Sequence, residues 1–136
     1  MVTRWQFNSK CAMSGIEFLL DTNMVIGLLK GHAPAIALAE QVGLVLDRTA
    51  VSQITRMELL GYPKLTEHED QAIRTFLAAC QVRLLDEQIE AQAIRLRRHG
   101  TFKLPDAIIA ATALSGALRL VTLDQSMLQG LEKFKG

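Results

Sequence analysis

The chain has 136 residues, 49% of them apolar and 21% charged, with three prolines and nine glycines. That composition belongs to a folded globule of about one domain and excludes a disordered or collagen-like chain. The formal charge of +1 gives no global positive field, so a nucleic-acid partner would need a local patch or bound cations.

No transmembrane helix is expected. The longest nearly apolar run, Ala107 to Ala117, is interrupted by Thr112 and Ser115 and falls short of the roughly 18 to 20 residues that cross a bilayer. Cys11 and Cys80 stand far apart at no metal-binding spacing, which favours a reduced, cytoplasmic protein. Residues 1–15 carry Arg4 and Lys10 but lack the apolar core of a secretory signal. They read as an N-terminal extension holding Trp5 and Cys11 outside the core, with Met13 as an alternative start. Residues 16–136 then form a single domain.

In chain order, Phe18-Leu19-Leu20 reads as a strand, and Asp21-Thr22-Asn23 as a turn opening a helix over Met24 to Lys30, stopped at Gly31. Pro34 opens an alanine- and leucine-rich helix ending near Gly43. Leu44 to Gln53 is ambiguous, since Leu44-Val45-Leu46 and Ala50-Val51-Ser52 can both extend. Thr55-x-x-Glu58 and Thr66-x-x-Glu69 share capping-box spacing. The second opens a helix whose stripe of Ala72, Ile73, Phe76, Leu77 and Cys80 faces the core. Val82 to Leu85 reads as a strand, and Ile89, Ala93 and Leu96 mark a helix ending in Arg95, Arg97, Arg98 and His99 before Gly100. Pro105 suits the first turn of a helix apolar on nearly every face, with Gly116 as its stop. Leu118 to Leu123 is a last strand, and Asp124 begins a short helix toward Leu131.

Strands alternating with helices imply a parallel α/β sheet covered on both faces, with the ligand site outside the carboxyl ends of the strands. Asp21 and Asp124 stand at such ends. Singly, four acids have plain structural explanations: Asp21 as a turn or cap, Glu58 as the capping partner of Thr55, Asp106 as an anion favoured by a helix dipole, and Asp124 as a cap. Gathered on one sheet edge, they would repel by roughly 3 kcal/mol per pair, at about 5 Å and an effective dielectric of about 20. A bound cation offsets that repulsion, and an all-oxygen donor set favours Mg²⁺ or Mn²⁺ over zinc.

The strings Phe18-Leu19-Leu20-Asp21-Thr22-Asn23, Ile54-Thr55-Arg56-Met57-Glu58-Leu59, Leu104-Pro105-Asp106-Ala107-Ile108-Ile109-Ala110-Ala111-Thr112-Ala113 and Val121-Thr122-Leu123-Asp124 together resemble the PIN-domain ribonucleases. Among these the chain looks most like the VapC-type toxins of toxin-antitoxin pairs. The resemblance implies a PIN-like (Rossmann-like) central parallel sheet of four to five strands flanked by helices. It also implies an Mg²⁺- or Mn²⁺-dependent endoribonuclease, the toxin of a type II pair, forming a homodimer and blocked by a cognate antitoxin protein. Carried over residue by residue, Asp21, Glu58, Asp106 and Asp124 match the acidic quartet, both catalytic and metal-binding. Thr22, Asn23 and Thr122 match its polar accessory positions, and Ser52 a strand-end serine. Two features depart from the family pattern: the leader is long, and the chain stops at Phe134-Lys135-Gly136, where many relatives continue into a final edge strand.

Arg95, Arg97, Arg98, His99 and Lys103 lead into the Asp106 helix and are candidate RNA-backbone contacts, equally readable as a solvated basic helix end. Lys30 and Arg56 are lesser candidates. His32, His68 and His99 fall in predicted loops or helix ends, against a metal-free ribonuclease using a histidine pair. Only 5% of residues are aromatic, so no base-stacking platform is evident. A receiver-like phosphoacceptor would need an acidic pair after the first strand and a lysine after the last. A dehalogenase-type phosphatase would need aspartate where Asn23 stands. A non-catalytic binding module would use the acids as caps and the basic cluster for its partner.

Overall fold

The computed structural model describes residues 15–100 and 102–135. The expectations for Trp5, Cys11 and Met13 lie outside these residues.

Four short strands form one parallel sheet in the order β3-β2-β1-β4: β1 (Phe18–Leu20), β2 (Thr49–Ser52), β3 (Gln81–Arg83) and β4 (Arg119–Val121). In register, Leu19 lies beside Ala50 and Leu120. Period-2 alternation sends neighbouring side chains to opposite faces. Phe18, Leu20, Val51 and Val121 enter one apolar cluster. Leu19, Ala50 and Leu120 enter another. The sheet is therefore buried on both sides, as parallel sheets require.

The first face is covered by α1 (Thr22–Leu29), α2 (Ala33–Val42), α3 (Gln53–Leu60) and α4 (Glu67–Ala79). The second is covered by α5 (Glu87–His99), α6 (Leu104–Gly116) and α7 (Gln125–Lys135). The expected four to five strands are four among the described residues, and β4 forms one edge of the sheet. From β1 the chain builds outward through β2 to β3, then returns to place β4 on the other side of β1. That reversal between β1 and β4 is the topological switch point where such sheets open a crevice.

Local expectations divide. The stripe Ile73, Phe76 and Leu77 is buried, as is Ile89, Ala93 and Leu96. Gly43 closes α2 at φ 69°, in the left-handed region where glycine carries no Cβ penalty. The ambiguous stretch resolves into a 3-10 turn, Leu46–Arg48, and then β2. The third and fourth strands are shorter than expected: β3 ends at Arg83, leaving Leu84 and Leu85 exposed, and β4 ends at Val121. The stop of α6 is also displaced. Gly116 is its last residue, and Ala117 takes the left-handed cap at φ 53°. A Cβ on Gly116 would stand 3.1 Å from Leu118 and 3.3 Å from Arg83, so close packing occupies the glycine and an alanine bears the strained position. Gly27 serves packing as well, since a Cβ there would lie 2.8 Å from Ala35 Cβ across the α1–α2 contact.

Candidate active site

Asp21 follows β1 and caps α1, its Oδ1 accepting the Met24 amide at 2.8 Å. The cap reading is therefore correct, but it uses only one carboxylate oxygen. The other accepts the hydroxyl of Thr122, which lies just past β4. Asp21 is only 4% exposed. Burial raises its carboxyl above the ordinary range against the pull of the Thr122 and Met24 hydrogen bonds, and the charges of Asp124 and Asp106 add to the rise.

Thr122 links two acids. While donating to Asp21, its Oγ1 accepts the backbone N–H of Asp124 at 3.0 Å. Asp124 is exposed, and its Oδ1 takes the Met127 amide at 3.1 Å, capping α7. Asp106 sits half-buried in the first turn of α6, behind the Pro105 start that the sequence indicates. Its carboxyl is raised mainly by desolvation, then by Asp124 and Glu58, with Lys103 opposing.

Glu58 does not belong to a capping box. The helix α3 begins two residues before Thr55, and its cap is Ser52, whose hydroxyl accepts the Ile54 amide at 3.2 Å. Thr55 is fully buried inside that helix. Glu58 Oε1 instead accepts the hydroxyl of Thr22 at 2.6 Å. Thr22 also lies 3.0 Å from Thr55 Oγ1. Having one hydroxyl proton and giving it to Glu58, Thr22 receives its second bond from Thr55. Thr55 is thus a buried support and not the cap that its spacing to Glu58 suggests. Its extreme burial has no local signal. Asn23 is exposed in the first turn of α1.

The four acids therefore meet electrostatically at the switch point, Asp21 with Asp106 and Asp124, and Asp106 with Asp124 and Glu58. Among the described residues no three His, Cys, Asp or Glu side chains close into a metal cage. The donor chemistry nonetheless fits a hard divalent cation. Each Asp21 oxygen accepts one hydrogen bond and keeps a second lone pair, and a nearby cation would relieve the cost of that buried charge.

The basic cluster is partly committed to structure. Arg97 Nη1 donates to the Phe102 carbonyl at 2.9 Å. Arg95 lies 5.4 Å over the Phe134 ring of α7, and His99 meets the same ring edge-on at 5.2 Å. Arg98 and Lys103 are exposed. Lys30 lines a separate apolar groove between α1 and α4 and bears electrostatically on Glu69. Arg56 is half-buried on α3. Beside the acids lies a cavity of about 390 Å³ lined by Asp106 and Asp124 together with Phe102, Ser126, Gln129 and Lys133. The i, i+3, i+7 spacing of the last three puts them on one face of α7 and was a legible signal.

A parallel sheet with acids gathered at its switch point defines a class of site, one that concentrates negative charge at the carboxyl edge of the strands. Residues 18–130 match the PIN domain, and the chain belongs to that family. It is 34% identical to a chain of a toxin-antitoxin complex from Klebsiella pneumoniae, over 76% of this chain and 83% of that one, with a TM-score of 0.65. It is 26% identical to a chain of VapBC-1 from nontypeable Haemophilus influenzae, over 87% and 94%, with a TM-score of 0.66. Similarity to FitAcB from Neisseria gonorrhoeae, at 24% identity over 85% and 93% with a TM-score of 0.70, is a likeness of fold. No curated protein matches the chain.

Proposed function

We propose that the protein is a metal-dependent endoribonuclease of the VapC type, the toxin of a type II toxin-antitoxin pair, acting in the cytoplasm. The observation that carries the reading is the placement of the acids at the carboxyl edge of the sheet, where Thr122 ties Asp21 to the Asp124 backbone, Asp106 and Asp124 line one cavity, and Thr22 beside Asp21 holds Glu58. Such a cluster repels a phosphodiester unless a cation inverts the local potential. Those four side chains would hold Mg²⁺ or Mn²⁺, which supplies activation of water for attack at phosphorus and neutralisation of the developing charge.

The chain's own residues do the positioning. Thr122 fixes the Asp21 carboxylate and, through the Asp124 amide, the start of α7. Thr22, braced by Thr55, orients Glu58. Such outer hydrogen bonds aim ligands and typically matter by about 10- to 100-fold. Ser52 supports the site indirectly by capping α3. Arg95, Arg97, Arg98 and Lys103 all present exposed charge to the RNA backbone, Arg95 while packing over Phe134 and Arg97 while bonding the Phe102 carbonyl.

Complexes of similar chains with antitoxins support an antitoxin partner here, and family resemblance supports a homodimer. Residues 16–136 are taken as the nuclease domain and 1–15 as an extension outside it. The test is cleavage of a structured RNA mixture by chelated protein resupplied with Mg²⁺ or Mn²⁺, beside Asp106→Asn. Metal-dependent cutting that leaves 5′-phosphates and is absent in the variant is expected. No cleavage above the variant's background with either metal, by folded protein free of copurified inhibitor, would move the binding-module reading ahead.

A further inference from the structure

We propose that the cavity beside the acids is a subsite for the RNA backbone, in which Lys133 binds a phosphate adjoining the one that is cleaved. This assignment rests on the reading of the acidic cluster as an RNA-cleaving centre. Asp106 and Asp124 line the same cavity of about 390 Å³ as Lys133, so a strand whose scissile phosphate lies at the acids continues along that wall. The acidic end of such a cavity alone would repel the flanking phosphates. Lys133 is exposed and makes no ion pair among the described residues, leaving its charge available to one of them.

The neighbouring side chains suit the same ligand. Ser126 and Gln129 share the Lys133 face of α7 and offer neutral donors to phosphate oxygens or ribose hydroxyls. Phe102 and Met127, both buried, form an apolar floor against which a sugar or base can rest. Two cations of α5 are less free for the task, because Arg95 covers Phe134 and Arg97 is bound to the Phe102 carbonyl. Arg97 thereby shapes the cavity wall. Lys135, on the same last turn of α7, lines a different cavity beside β4. The two lysines share charge, helix and exposure but differ in the surface they face.

That pair supplies the experiment. Binding of a short fluorescein-labelled single-stranded RNA of mixed sequence is measured by anisotropy over a salt series. The protein is Asp106→Asn, so that the RNA stays intact, with Mg²⁺ present. Adding Lys133→Ala should lower affinity about tenfold and flatten the logarithmic salt slope by about 0.7, the loss of one phosphate contact on a single strand. Lys133→Arg should keep the slope, Lys135→Ala should leave both quantities unchanged, and melting curves should match because both lysines are exposed. Equal effects of Lys133→Ala and Lys135→Ala would overturn the subsite, as would absence of RNA binding in the parent protein. Lys133-dependent binding by a wild-type protein that does not cleave would keep the subsite and refute the nuclease.

Discussion

Thr55-x-x-Glu58 and Thr66-x-x-Glu69 have the same local pattern and opposite fates. At the second, Thr66 Oγ1 accepts the Glu69 amide at 3.1 Å and Glu69 Oε1 accepts the Thr66 amide at 2.9 Å, a closed capping box at the start of α4. The Thr66 amide, and after it the Thr66 hydroxyl, hold the Glu69 carboxyl below its usual range. At the first, β2 runs directly into α3, so Ser52 takes the cap and Thr55 falls inside the helix. Glu58 is left free to reach Thr22 of α1. The difference lies in where the preceding strand ends. A helix with its own polar start uses its glutamate locally, while a helix launched from a buried strand releases it to the sheet edge.

The strongest way to break this comparison is to neutralise both glutamates. Glu58→Gln should reduce metal-dependent RNA cleavage by at least about 100-fold, read as initial rates on one RNA. Glu69→Gln should leave the rate unchanged and lower only the melting temperature. Equal rates for the two variants would remove Glu58 from the catalytic set.

Thr122→Val sharpens the contrast from the other side of the sheet. It strips a donor from the buried Asp21 carboxylate and an acceptor from the Asp124 amide, a cost of about 1–3 kcal/mol, and should slow cleavage about 10- to 100-fold. Denaturant melts and initial rates measure the two losses. The matching change at the capping box, Thr66→Ala, should cost about 0.5–2 kcal/mol and nothing in rate.

Titration should separate the regions as well. Asp21 and Asp106 have folded pKa values above their ordinary ones, with burial as the leading cause. The stability each contributes is therefore full below an unfolded pKa of about 3.9 and is lost as pH rises through the folded value. Glu69 runs the other way: its contribution is present above its unfolded pKa and is lost as pH falls through the depressed folded one. At pH 7 the chelated protein should gain melting temperature on addition of Mg²⁺, by mass action. Asp106→Asn should raise the metal-free melting temperature and blunt that gain. An Mg²⁺ response unchanged in the variant would remove Asp106 from the ligand set. The smallest expected effect lies far from the acids, where Ala117→Gly should stabilise by up to about 1 kcal/mol, the relief of its positive φ less the chain entropy that glycine adds.

The amino-acid sequence by itself determined the layered α/β plan, because apolar alternation in the strands and 3.6-residue stripes in the helices are local signals. It also placed Asp21 and Asp124 at strand ends and Asp106 behind Pro105, since turns and first helical turns are written in neighbouring residues. Tertiary structure alone decided which acids were free. Thr22 meets Glu58 across 36 residues and Thr122 meets Asp21 across 101, separations over which no periodicity carries information. It likewise committed Arg97 to the Phe102 carbonyl, gave the left-handed cap to Ala117 in place of Gly116, and opened the cavity between Asp106 and Lys133. Each of these depends on which side chain arrives at a given point in space, and that is settled only when the two faces of the sheet are packed.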